Sequence, residues 1–138
     1  MRLAEDQDIE ALIELDPLSH TDAKRIPFIK HAVQSGTCYL IEADRQLVGY
    51  GVLDHSFYQY GFVAMLYLHP NFRRNRLASR IMEFFEGLCA TDKLFTSTNK
   101  SNQPAQKLFE SLGYRQSGVI EGLDEGDPEL IYMKRLSR

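Results

Sequence analysis

The chain has 138 residues, of which 43% are hydrophobic and 25% charged, and its formal net charge is -3. Such a composition describes one soluble domain, residues 1–138, able to bury roughly two thirds of its unfolded surface. The negative balance argues against general attraction to nucleic acid. No apolar run spans a membrane and no signal peptide opens the chain, so a cytoplasmic protein is expected.

The elements follow in chain order. Met1 to Leu3 is a stub of strand. Asp6 is suited to cap a helix with Ile9, Leu12 and Ile13 on its apolar face, and Asp16-Pro17 ends it. Residues 18–25 are polar and predict a loop. Pro27 suits the first turn of a second helix, which carries Ile29 and Val33 and closes at Gly36. Thr37 to Ala43 and Gln46 to Leu53 read as strands around an Asp44-Arg45 turn. Residues 54–61 read as an aromatic connection, and Phe62 to Leu68 as the third long strand. Leu77, Ile81, Phe84, Phe85 and Leu88 recur at helical steps, predicting a helix to about Ala90. Lys93 to Ser97 is a strand. Pro104 to Leu112 is a helix with Ala105, Leu108, Phe109 and Leu112 inward, closed by Gly113. Tyr114 to Ile120 and Leu130 to Lys134 are the last strands. This order predicts an α/β fold with a mixed sheet. Cys38 and Cys89 form no CxxC pair and read as buried thiols, and no spacing suggests a metal.

One stretch organises the rest. An apolar strand, Leu66-Tyr67-Leu68, stops at Pro70 and is followed by Arg73, Arg74, Arg76 and Arg80 at the start of a helix. A helix N-terminus has unpaired N–H groups and the positive end of the dipole, so this is an anion site in waiting. The bland alternative is a solvated helix start.

The run Arg73-x-x-Arg76-x-Ala78 resembles the acetyl-CoA loop of the GCN5-related N-acetyltransferases, Gln/Arg-x-x-Gly-x-Gly/Ala, with Arg76 in place of the central glycine. A second block, Asn102-x-x-Ala105-x-x-Leu108-Phe109-x-x-Leu112-Gly113-Tyr114, resembles the family's Asn-x-x-Ala-x-x-Leu-Tyr-x-x-x-Gly-Phe. The resemblance implies a mostly antiparallel central sheet flanked by about four helices, with splayed central strands that admit the pantetheine arm. It implies acetyl-CoA as co-substrate, no metal, and cofactor contacts from Leu66, Tyr67, Leu68, Arg73, Arg74, Asn75, Arg76, Leu77, Ala78, Ser79 and Asn102. If the loop needs a left-handed residue at Arg76 the cost is roughly 1 kcal/mol, and Asn75 is the alternative carrier. Asn102 also reads as a helix N-cap.

Two family groups are missing. Phe109 stands where relatives carry a tyrosine acid, and Ala64-Met65 where many carry a glutamate base. Asp54 and His55 are the nearest replacement bases, and the general acid stays open. Tyr58 and Tyr60, beside Phe57, read either as hairpin packing or as a wall of the acceptor pocket. Asp124 and Glu125, within an acidic loop that also holds Glu121, Asp127 and Glu129, read either as a solvated turn or as recruitment of a cationic amine. The resulting expectation is an N-acetyltransferase acting directly on a primary amine of a small molecule. A protein N-terminal or lysine acetyltransferase and a non-catalytic acyl-CoA-binding module are the alternatives; a nucleic-acid-binding module has only the short arginine patch behind it, and a homodimer is left open.

Overall fold

The computed structural model describes residues 1–73 and 76–137. The chain falls into two compact units, residues 1–53 with 65–78, and residues 54–64 with 79 onward. Among the described residues seven strands are hydrogen-bonded in the order β1-β2-β3-β4-β5-β7-β6: β1 Arg2–Leu3, β2 Cys38–Ala43, β3 Gln46–Phe57, β4 Tyr60–Leu68, β5 Lys93–Asn99, β6 Arg115–Ile120 and β7 Glu129–Arg135. Four α-helices among the same described residues accompany them: α1 Ile9–Leu15, α2 Arg25–Gln34, α3 Leu77–Leu88 and α4 Gln103–Ser111.

In the first unit β1 pairs antiparallel with β2, and β2 with β3. A short 3-10 turn, Asp6–Asp8, leads into α1. The Asp8 carboxylate accepts the Glu5 N–H at 2.8 Å and pairs with Arg2 at 3.0 Å, so the capping expected of Asp6 belongs to Asp8. Asp16, ahead of Pro17, is extended and stops α1, as the preference of a residue before proline requires. Residues 17–20 form another 3-10 turn, not an open loop. Gly36, at φ +72°, makes the left-handed exit from α2. Leu12, Ile29, Val33, Leu40, Val48 and Tyr50 build the core of this unit.

The expected aromatic connection over residues 54–61 is mostly strand. β3 continues to Phe57, β4 begins at Tyr60, and only Tyr58 and Gln59 turn the chain, both at positive φ. Packing explains the extension. The Phe57 ring stacks on Phe62 at 5.2 Å and meets Phe95 at 4.9 Å, while Tyr60 meets Phe95 at 5.8 Å. Aromatic pairs of this kind stabilise a sheet by roughly 0.2–1 kcal/mol each.

In the second unit β4 runs parallel to β5 through Gly61↔Leu94, Phe62↔Phe95 and Val63↔Thr96. β5 and β6 both pair antiparallel with β7, which leaves β6 at the end of the order. Gly61 has no room for a side chain, since a Cβ there would lie 2.3 Å from the Cys89 sulfur. The buried stripe of α3 is Ile81, Met82 and Phe85, with Cys89 just beyond it; Phe84 and Leu88, expected inward, are 36% and 42% exposed. Phe109 of α4 is buried against Tyr114 at 6.1 Å and Tyr132 at 5.5 Å, and Gly113, at φ +94°, turns the chain out of that helix.

Candidate active site

The end of β4 is built to hold a fixed loop. Gly49 on β3 lies against it: a Cβ there would meet the Tyr67 carbonyl oxygen at 2.3 Å, so only glycine lets the strands approach. The His69 N–H donates to the Val48 carbonyl at 2.7 Å, the last bond before the chain leaves the sheet. Pro70–Phe72 then forms a 3-10 turn, and His69 Nδ1 accepts the Asn71 N–H at 3.1 Å. Arg73 turns back on the strand. Its Nε donates to the Leu68 carbonyl at 2.8 Å and its guanidinium lies 5.6 Å over the Tyr67 ring, a cation–π contact. One donor of the fork is thereby used on the backbone, while a guanidinium has five.

Arg76 immediately precedes α3 and sits at φ +63°. An arginine therefore holds a left-handed conformation that glycine adopts most readily. Arg74 and Asn75, also expected in the loop, lie outside the described residues. Leu77, Ala78 and Ser79 form the first turn of α3, at the positive end of its dipole. Leu66 and Tyr67 are half-buried and Leu68 is buried. Asn102 caps α4, its side-chain oxygen accepting the Ala105 N–H at 3.2 Å.

A buried polar cluster that sequence reading missed lies in the first unit. Asp16 is fully buried and its carboxylate accepts the Tyr50 hydroxyl at 2.5 Å, the Arg25 guanidinium at 2.6 Å and the Leu18 N–H at 3.0 Å. It ties α1, α2 and β3 together. The same Arg25 nitrogen lies 4.0 Å from the Met65 sulfur on β4, one position along from Ala64. Burial, with the Asp16 carboxylate beside it, drives the Tyr50 hydroxyl well above its ordinary value. Arg25 loses hydration, but Asp16 and Tyr50 together outweigh that loss, and its affinity for the proton rises. Asp16-Pro17 announces a helix end in the sequence, while partners nine and thirty-four positions away leave no local signal.

The other candidates are engaged near home. Asp54 accepts from the N–H and hydroxyl of Ser56, at 3.0 and 2.6 Å. His55 Nε2 accepts the Ala90 N–H at 3.0 Å, closing the end of α3. A neutral imidazole has one ring lone pair to accept with, and here the Ala90 N–H occupies it. Tyr58 is 82% exposed at its turn, and Tyr60 stacks under Lys93 at 5.1 Å. Asp124 accepts from the Asn99 side chain at 2.9 Å, and Asp127 from the Ser101 N–H and hydroxyl at 3.0 and 2.6 Å. The acidic loop is thus pinned to the start of α4, with Glu125 exposed. The Tyr114 hydroxyl donates to Glu86 at 2.9 Å, and burial, reinforced by that carboxylate, raises it far above the usual tyrosine range. Among the described residues no three His, Cys, Asp or Glu side chains gather to hold a metal ion, and no helix is long and apolar enough to cross a membrane.

β4 pairs parallel with β5, and along the chain β4 leads through a turn that carries Arg73 and Arg76 into α3. The acetyltransferase (GNAT) family pattern matches residues 5–114, and the chain belongs to that family. A GNAT-family acetyltransferase from Bacillus cereus shares 32% identity over 99% of this chain and 96% of its own, with a TM-score of 0.88. YncA of Salmonella typhimurium, solved with its cofactor acetyl-CoA, shares the fold at 17% identity, with a TM-score of 0.76 over 99% of this chain and 93% of its own. A GNAT-family acetyltransferase from Streptococcus agalactiae does so at 15% identity, with a TM-score of 0.80 over 99% and 95%. No curated protein matches the sequence significantly.

Proposed function

We propose that residues 1–138 act as one domain that transfers the acetyl group of acetyl-CoA directly to a primary amine, that of a small molecule, without a covalent enzyme intermediate. The observation that carries the reading is Arg76 at φ +63° ahead of α3: a left-handed residue before a helix start suits a turn that cradles phosphate. The acetyl-CoA complex of the Salmonella neighbour supports the choice of co-substrate. In this reading the first N–H groups of α3, from Leu77, Ala78 and Ser79, hold the pyrophosphate. Arg73 and Arg76 supply charge-assisted contacts, and Leu66, Tyr67 and Leu68 line up the thioester. Asn102 touches the cofactor arm, and Arg74 and Asn75 join the loop, as in relatives. Asp54 and His55 remain the candidate bases, with Tyr58, Tyr60, Asp124 and Glu125 on the acceptor side.

Chemically the amine is the harder problem. An alkyl ammonium with pKa near 10.4 is neutral about once in a thousand at pH 7.5, a deficit of roughly 4 kcal/mol. At the same pH a thiolate of pKa near 8.5 leaves with a deficit of only about 1.4 kcal/mol. Proximity and a polarised carbonyl are then the main contributions, and a missing tyrosine acid at Phe109 is tolerable. Accordingly kcat/KM should rise with pH and level off, without a falling alkaline limb.

Calorimetry of CoA binding tests the site: Arg73→Ala should weaken affinity by about 1–3 kcal/mol. Unchanged affinity removes Arg73 from it. Turnover of acetyl-CoA against a panel of amines, peptides and proteins, with mass detection, tests the activity. Binding without any product would favour the non-catalytic acyl-CoA binder, the reading that the buried Phe109 recommends.

A further inference from the structure

We propose, on the reading in which Leu66 to Leu68 line up the thioester, that Arg25 holds the carboxylate of the acceptor and that the acetylated amine is that of a free amino acid. Arg25 opens α2, and its Nη1 lies 4.0 Å from the sulfur of Met65, the residue just before that stretch of β4. Its guanidinium keeps its charge at any working pH. A simple cationic amine brought beside it is repelled. An acceptor with a carboxylate next to its amine turns the same charge into an anchor.

The way Arg25 is held leaves it able to take that carboxylate. Asp16 gives Oδ1 to the Leu18 N–H and shares Oδ2 between the Tyr50 hydroxyl and Arg25 Nη1. One nitrogen of the guanidinium thus meets one oxygen, and the stronger bidentate arrangement is not used on Asp16. Among the described residues Nε and Nη2 of Arg25 donate no hydrogen bond, while every fully buried side-chain nitrogen and oxygen has a partner, so these donors are open to solvent. With the side chain 16% exposed, little water competes for them. The Asp16 carboxylate, 1% exposed, fixes the guanidinium in place before any ligand arrives. A planar fork with open N–H donors matches a planar carboxylate through two parallel bonds, which a neutral amide cannot make. Asp16, Tyr50, Arg25 and Met65 all belong to the first unit, as do Leu66 to Leu68.

The test sets L-amino acids against their own α-amides. Each is offered as acceptor with acetyl-CoA under mass detection, and each is titrated by calorimetry into the protein saturated with CoA. At least one acid should surpass its amide in kcat/KM and in affinity by about tenfold to a hundredfold, the range for a charge-assisted contact. Removing the carboxylate charge makes the ammonium easier to deprotonate, so a preference for the acid does not arise from amine basicity. Arg25→Lys keeps a cation for Asp16 and loses the fork, and should cut the acid-to-amide ratio about tenfold; a purely structural Arg25 would change both members of a pair alike. Acids that bind in preference to their amides without any product uphold the carboxylate site and sink the acetyl transfer instead. Amides that match their acids, a ratio that Arg25→Lys leaves intact, or a panel in which no amino acid binds or reacts each overturns the proposal. So does a preference for aminoalkyl phosphates, run as a third arm. Should the lysine variant fail to fold, the comparison of acid and amide on the wild-type chain decides alone.

Discussion

Removing the Asp16 carboxylate should be among the most damaging single changes in the first unit. In Asp16→Ala three donors lose their acceptor at once: the Tyr50 hydroxyl, the Arg25 guanidinium and the Leu18 N–H. The Arg25 side chain is only 16% exposed, so water restores little of its solvation. Breaking a buried pair by deleting one member costs about 3–5 kcal/mol. For a chain of this length each kcal/mol moves the melting temperature by roughly 3 °C, so a fall of about 10–15 °C is expected. Tyr50→Phe removes one hydroxyl and leaves the ion pair, at a cost of about 1.5–3 kcal/mol. The double variant decides between a network and a set of separate contacts. Once Asp16 is gone the orphaned hydroxyl is a liability, so adding Tyr50→Phe should cost nothing more or recover some stability. Urea melts of the four proteins give the cycle. An Asp16→Ala loss below about 1 kcal/mol, or strict additivity in the double variant, would refute the reasoning.

Stability should fall on the alkaline side. Burial, with a small contribution from Asp8, pushes the Cys38 thiol from 9.0 up to about 12, and the Tyr50 and Tyr114 hydroxyls are raised above their ordinary 10.0. Groups raised on folding contribute stability that is complete below their unfolded values and is lost as pH climbs toward the folded ones. The melting temperature should therefore begin to drop near pH 9, and Cys38→Ala should move the onset toward pH 10; a flat profile to about pH 11 would contradict both. Arg76→Gly should leave stability within about 0.5 kcal/mol, because relief of the left-handed strain is offset by the freer unfolded chain, whereas Arg76→Val should cost about 1–2 kcal/mol. Chemical denaturation compares them, and a glycine variant destabilised as much as the valine one would mean that the Arg76 side chain itself holds the loop.

Much of the fold was legible because its signals are local. Gly36 and Gly113 stand where left-handed exits from helices are needed, and Asp44-Arg45 sits between two alternating strands as a turn should. The loop was legible too, through its arginines at a helix start. The carrier of its strain is not legible: residue preference favours Asn75, and only the backbone assigns φ +63° to Arg76. The Tyr58-Gln59 turn was hidden because neither residue favours positive φ, and the stacked rings of Phe57, Phe62 and Phe95 override that preference from outside the turn. Asp16 was read from its proline neighbour as a helix end, which it is, and its pairing with Tyr50 depends on folding over 34 positions.

The Tyr58-Gln59 tip bears on how the sheet is assembled in time. A two-residue turn with both residues at positive φ forms readily on its own when it is built from asparagine and glycine. Here tyrosine and glutamine resist that geometry, so the tip is a poor nucleus. β3 and β4, with twelve and nine residues, are long strands. They must find each other through their aromatic and aliphatic side chains, and the bend is imposed last. We expect the hairpin to close late in folding and to open first at its tip, where hydrogen exchange should be fastest.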